Sequence, residues 1–269
     1  MHTPLRASAA AKIAVSYLVV SVAWILLSDR LARWALPDAD SLTWVQSTKG
    51  LGFVIGSSAV IYLVSRLYLG RSEASTQRLR EAYDNTLAGW AAALDIRDKS
   101  TGQHTQRVTR MTVALAEEFG IGGEDLDNVR RGATLHDIGK MGVRDSILGK
   151  CGPLTAEEWE EMRRHPELAV SMLVGIEYLR PALDIPWCHH EWWDGTGYPR
   201  GLSGDDIPIA ARLFAVVDVY DAITSERPYR QPMSEEDALR HIESRSGTHF
   251  DPQAVAAFLH LRDVTRTAS

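Results

Sequence analysis

The sequence predicts an all-α protein: a two-helix transmembrane hairpin, a linker helix and a helical bundle. Three observations carry that prediction. Two apolar runs with almost no charge lie early in the chain, each about the ~20 residues that a helix needs to span a bilayer. Beyond them, apolar residues recur at three- and four-residue steps between capping residues and breakers. No run of alternating residues and no repeat period interrupts that rhythm.

The first apolar run, residues 8–28, reads SAAAKIAVSYLVVSVAWILLS, with Lys12 as its only charge. A secretory signal would show a small-residue cleavage site next, but SDRLARW follows instead. The second run, residues 50–69, is broken only by Arg66. Arg6 and Lys12 open the first run, and Arg66, Arg71, Arg78 and Arg80 crowd the end of the second. That excess of Lys and Arg over the intervening loop orients both termini toward the cytoplasm, and Trp24, Trp34 and Trp44 fit an interfacial belt. The hairpin resembles the short two-span anchors of bacterial signalling proteins, which implies the inner membrane and contact with the lipid bilayer.

The composition is 45% hydrophobic and 24% charged, as in ordinary globular proteins, and the net charge of −6 leaves no basic footprint for a nucleic acid polymer. Cys151 and Cys188 are read as two small buried hydrophobes in a reducing compartment, since neither has a CxxC partner to suit zinc.

Residues 71–98 form the linker helix, uninterrupted by proline. Leu79, Tyr83, Thr86, Trp90 and Leu94 mark one apolar seam along it. Two readings stay open: a coiled coil joining two copies of the chain as a homodimer, or the first helix of the soluble domain. The bundle occupies 99–269, behind the anchor at 1–70. Its first helix ends at Gly120, and the next starts with Glu124 and Asp125, acidic residues that suit a helix N-terminus. Thr155 with Glu158 forms a capping box, and the helix they open ends at His165. Pro166 takes a first helical position, the apolar segment 209–224 is a buried helix, and Ser234 and Asp251 cap the last two helices.

Chemistry-bearing residues are spread along this bundle. They are His104, the adjacent His136 and Asp137, His165, the adjacent His189 and His190, and Asp218. Asp218 stands between Val217 and Val219, where a carboxylate is costly unless it is paired or bound to a metal. Imidazole with carboxylate suits Fe, Mn, Zn or Ni. A carboxylate beside a histidine can bridge two ions, and ions roughly 3.5–4 Å apart make a bridging hydroxide nucleophilic toward a phosphoester. Lys140, three residues after Asp137, falls near the same helix end and can meet charge on a phosphoryl oxygen. Asp221 shares a helical face with Asp218 and can orient Lys140 or a histidine from behind. In WDGTGYP, Gly195 and Gly197 permit positive φ and close backbone approach to a ligand. Tyr198 offers a ring or a hydroxyl there, with Trp192 and Trp193 bracing the turn. Arg227 and Arg230 flank Pro228-Tyr229 and suit bidentate phosphate contacts.

LHDIGK, His165 before Pro166, HHEWWDGTGYP, VVDVYDAITSERPYR and SGTHFDP occur in order between Leu94 and Leu261. This stretch resembles the HD-GYP family of the HD phosphohydrolase superfamily. The resemblance implies an HD-type bundle of about seven helices and two divalent metal ions, iron or manganese. One ion is expected on His104, His136, Asp137 and Asp218, with Asp137 bridging to a second on His165, His189 and His190. The implied substrate is cyclic di-GMP, opened to pGpG and cleaved on to GMP, or cyclic GMP-AMP. Asp137 and Lys140 would serve catalysis, and Lys140, Gly197, Tyr198, Arg227 and Arg230 would line the nucleotide. Some members hold a third metal with a glutamate where this chain has Ser100, so two ions are expected here. A dinucleotide receptor without turnover, or an HD hydrolase for another nucleotide, remain the competing readings.

Overall fold

The structure, a computed structural model, describes residues 4–35, 39–98, 104–226 and 231–267. Among them there is no strand; the extended pairing is limited to two isolated bridges, Asp194 with Ser203 and Ser246 with Phe250. Two long helices come first, α1 (Pro4–Ala35) and α2 (Ala39–Arg97). Nine more follow among the described residues: α3 (His104–Glu118), α4 (Gly123–Leu135), α5 (Asp145–Leu148), α6 (Ala156–Met162), α7 (His165–Leu173), α8 (Asp184–Cys188), α9 (Ile209–Thr224), α10 (Glu235–Ser244) and α11 (Pro252–Thr267). Of these, α5 and α8 are about one turn long, which leaves seven principal helices, the number expected for the bundle.

The chain divides into two compact units, Met1–Arg78 and Leu79–Ser269. The segments Ala14–Ala35 and Thr43–Arg97 belong to helices long and apolar enough to cross a membrane, by length and composition. Leu18, Val20, Leu27, Ile55 and Leu63 expose their side chains, Trp24 stacks on Phe53, and Lys49 pairs with Asp29.

The second unit is built around α9. This helix is apolar on nearly every face, so its place is the interior. Leu213, Phe214, Val216 and Val217 pack with Val108 and Leu115 of α3, Val129 of α4, Ile242 of α10 and Phe258 of α11. A second cluster joins Leu135 and Ile138 to Leu173, Leu179 and Leu87 of α2. In α2 the buried face is Leu87, Ala91 and Leu94, while Leu79, Tyr83 and Trp90 stay exposed. The packed stripe is therefore rotated from the expected seam, which shares only Leu94 with it.

Local signals act as the residues require. Gly120 at φ +83° follows the end of α3, and Thr155 with Glu158 closes the capping box of α6. Ser234 accepts from the Asp237 amide at 3.1 Å. Two expectations are corrected. His165 opens α7 and does not end α6, because α6 stops at Met162 and Pro166 suits a first turn. Cys188 is buried, but Cys151 is exposed in the glycine- and proline-containing loop before α6, where no core is within reach.

One close approach fixes the middle of the unit. The 3₁₀ turn Ile138–Gly142 crosses α7 so tightly that a Cβ on Gly139 would stand 1.8 Å from the His165 carbonyl oxygen and 2.7 Å from the Ala169 nitrogen. Both neighbours are backbone and cannot rotate away. Overpacking of this kind costs about 1–3 kcal/mol. Gly139→Ala is expected to lower the melting temperature by at least about 3 °C. An unchanged melting temperature in calorimetry would refute the crossing.

Candidate metal centre

Six elements deliver the site. His104 is the first residue of α3, and His136 and Asp137 leave the end of α4. Lys140 rides the 3₁₀ turn, His165 opens α7, His189 and His190 follow α8, and Asp218 lies within α9. Folding gathers them into two groups, His104 with His136 and Asp218, and His165 with His189 and His190. Within each group one ligand atom per residue lies within 4.8 Å of the others.

Asp137 stands between the groups. Its Oδ2 is 3.2 Å from His136 Nε2, and its Oδ1 is 3.5 Å from His165 Nε2 and 4.0 Å from His189 Nε2. Lys140 Nζ donates to Asp137 Oδ2 at 2.8 Å. The Asp137 side chain is 19% exposed, so a ligand from solvent can reach it.

The backbone sets the tautomers. His136 Nδ1 lies 2.9 Å from the Ala133 carbonyl, His165 Nδ1 2.8 Å from Met162, and His189 Nδ1 3.0 Å from Ile185. A carbonyl only accepts, so each Nδ1 carries a proton, and the neutral form of each ring turns a bare Nε2 lone pair inward. Burial, reinforced by neighbouring imidazoles, pushes His189 down to about 3 and His190 well below its ordinary value. Burial also lowers His165, against the attraction of Asp137. The Nε2 atoms of His165 and His189 then face each other at 3.2 Å with no proton between them. Two lone pairs at that distance repel unless a cation lies beside them, so the donor set fits a divalent ion.

The other group is more acidic. His104 donates from Nδ1 to Asp221 Oδ2 at 2.7 Å, and its Nε2 is 3.4 Å from Asp218 Oδ1. Burial opposes charge on this ring, but the two carboxylates outweigh it and raise the pKa to about 9. Burial likewise works against the Asp137 carboxylate, and Lys140, His136 and His165 overcome it, holding its pKa well below the usual range.

Asp221 thus orients a histidine, and Lys140 is held elsewhere. Arg107 binds the same carboxylate through two bonds of 2.6 and 2.9 Å. The partner of Lys140, besides Asp137, is Asp98 at 3.1 Å. Sequence reasoning gave no role to Arg107 or Asp98. Arg107 shares the amphipathic α3 with Arg110, and nothing local in the sequence separates the two. Asp98 is distant along the chain from Lys140.

Behind the second group lies the loop of residues 194–202. The Tyr198 ring stacks on His190 at 4.7 Å, and the Arg163 guanidinium lies 5.3 Å from the centroid of the same tyrosine ring. Gly195 uses positive φ, +82°. Gly197 meets the other demand: a Cβ there would lie 2.3 Å from the Trp192 nitrogen and 2.5 Å from the His190 carbonyl oxygen. Glu191, buried between the histidine and tryptophan pairs, accepts from the amides of Arg200 at 2.8 Å and Leu202 at 3.0 Å. It pins the loop, and its signal was a carboxylate flanked by four large rings. Trp192 packs on His249 at 4.3 Å, as a brace would. Arg227, Arg230 and Ser100 lie outside the described residues.

The HD domain family matches residues 90–254, more than half of the chain. A 3′3′-cGAMP-specific phosphodiesterase 2 of Vibrio cholerae is 38% identical over 183 residues, 67% of this chain and 35% of that protein. A cyclic di-GMP phosphodiesterase of Thermotoga maritima is 43% identical over 169 residues, 62% of this chain and 46% of that protein. The chain therefore spans less than half the length of these two relatives. The crystal structure of a cyclic GMP-AMP specific phosphodiesterase of V. cholerae, V-cGAP3, is similar in fold, with a TM-score of 0.54 and 18% identity, covering 67% of this chain and 49% of that one. With the helical bundle and its histidine–aspartate pair, the match across residues 90–254 means that the chain belongs to the HD domain family.

Proposed function

We propose that this chain is an HD-GYP-type phosphodiesterase that uses two divalent ions, iron or manganese, to hydrolyse a cyclic dinucleotide. The observation that carries the reading is the pair of imidazole-rich groups with Asp137 between them. In this reading His104, His136 and Asp218 would hold one ion and His165, His189 and His190 the other, with Asp137 as a ligand shared by both. The relatives named for cyclic di-GMP and for cGAMP support the substrate class. The product in this reading is pGpG or GMP. When bound, the ions supply Lewis-acid chemistry, neutralising charge on phosphate oxygens and acidifying water.

The chain's own residues do the rest. Burial works against the Lys140 ammonium, but Asp137 and Asp98 outweigh it and raise its pKa further above the ordinary value. Lys140 is therefore a fixed positive charge for a phosphate oxygen and does not exchange a proton near neutral pH. Burial pushes the Tyr198 hydroxyl up to about 12, so it stays protonated and able to donate to the ligand. Asp221 fixes the His104 ring, and Gly197 brings the Tyr198 loop against the His190 backbone. Arg227 and Arg230 add guanidiniums for the nucleotide phosphates.

The proposed layout is an anchor at 1–70, a linker helix at 71–98 and the phosphohydrolase domain at 99–269. Residues 8–28 and 50–69 contact the lipid bilayer of a bacterial inner membrane, with both termini cytoplasmic. The length and apolar character of the first two helices support the two spans. Exposed Leu79, Tyr83 and Trp90 support pairing of two chains along the linker.

The test is turnover and metal content of the full-length chain in detergent, loaded with Fe(II) or Mn(II). Cyclic dinucleotide hydrolysis with two ions per chain is expected. Asp137→Ala should lose at least one ion and cut kcat by about 10³-fold or more. Tight dinucleotide binding without product, cleavage of mononucleotides alone, or a wild-type count near one ion would each overturn the reading. Lys140→Met should keep both ions and lower kcat by about 10²-fold, the scale of one preorganised charge. Unchanged kcat would remove Lys140 from the machinery.

A further inference from the structure

We infer that Arg97 and Asp98, at the C-terminal end of α2, are positioning residues that hold Lys140 at the metal centre; this rests on the role proposed for Lys140. Lys140 rides a 3₁₀ turn of five residues. Such turns have poor internal hydrogen-bond geometry and do not hold a side chain rigidly by themselves. At the two ends of this one, the Lys140 amide donates to the Asp137 carbonyl at 2.8 Å and the Val143 amide to the Lys140 carbonyl at 3.0 Å.

Arg97 closes the turn from outside. Its Nη1 donates to the carbonyls of Lys140 at 3.1 Å and Met141 at 2.9 Å, and its Nη2 donates to Val143 at 2.7 Å. Its Nε donates to Asp145 Oδ1 at 2.9 Å. All three guanidinium nitrogens are engaged, so the planar fork defines where the turn lies and how it is rotated. Asp98 Oδ2 then takes Lys140 Nζ at 3.1 Å, so the ammonium is held between Asp98 and Asp137. One turn earlier, Asp95 accepts from Thr105, the neighbour of His104, at 3.0 Å. A single helix end therefore touches both the Lys140 turn and the start of α3. Neither Arg97 nor Asp98 belongs to the groups that could hold metal.

A purely structural role would make Arg97→Ala costly whatever occupies position 140. A positioning role makes its cost depend on Lys140, which a double-mutant cycle measures. In the full-length chain loaded with metal, Arg97→Ala should lower kcat by about tenfold or more, with KM within about twofold and metal content unchanged. With Lys140→Met already present, adding Arg97→Ala should change kcat by less than about twofold. An equal loss in both backgrounds, or metal lost along with activity, would overturn the inference. If Lys140→Met retains full turnover, or the wild-type chain has none, the role proposed for Lys140 or the function has failed instead. Amide hydrogen exchange then decides the positioning claim. Arg97→Ala should speed exchange at Val143 by about tenfold or more while α9 is unaffected. Unchanged exchange at Val143 would overturn it.

Discussion

A carboxylate flanked by imidazoles on both sides is the constraint on which the rest of the domain depends. Asp137 has one oxygen toward His136 and the other toward His165 and His189. Taking such a charge from water costs several kcal/mol unless partners replace its hydration. Lys140 supplies one partner. The Nδ1–H groups of His136, His165 and His189 point away from the carboxylate, each committed to a backbone carbonyl. That same commitment makes the centre a set of inward lone pairs suited to a cation.

The helices are arranged to serve this centre. Four places, the 3₁₀ turn after α4, the starts of α3 and α7, and the end of α8, put polar groups at helix termini, where backbone carbonyls or amides are free to orient them. Asp218 is the exception, since it comes from the middle of α9, most of whose other residues are buried core. Gly139 and Gly197 allow backbone to approach backbone on two sides of the second histidine group. Both glycines matter through the space they leave, whereas Gly195 matters through its positive φ. Around this centre runs a ring of supporting contacts. Asp221 steadies His104, Glu191 steadies the loop that carries Tyr198, and the end of α2 steadies Lys140.

Much of this was legible in the sequence because the signals are chemical and local. Adjacent His136 and Asp137, adjacent His189 and His190, and Asp218 amid valines each violate the ordinary pattern of a buried helix. Capping residues marked helix starts at Thr155 and Ser234. What stayed hidden depends on distance along the chain or on rotation of a helix. Arg97 and Asp98 meet the Lys140 turn across more than forty residues, which no spacing reveals. The apolar stripe of α2 offered several overlapping seams, and tertiary packing selected Leu87, Ala91 and Leu94. Tyr198 was read as facing a base or a phosphate, and its ring lies against His190, a contact made by the fold of the loop.

The central claim is that Asp137 joins two cation sites. Anomalous diffraction from crystals of the manganese-loaded chain tests it directly. The account predicts two peaks, one among His104, His136 and Asp218 and one among His165, His189 and His190, with an oxygen of Asp137 bound to each. A single peak, or two peaks of which Asp137 touches only one, would contradict it.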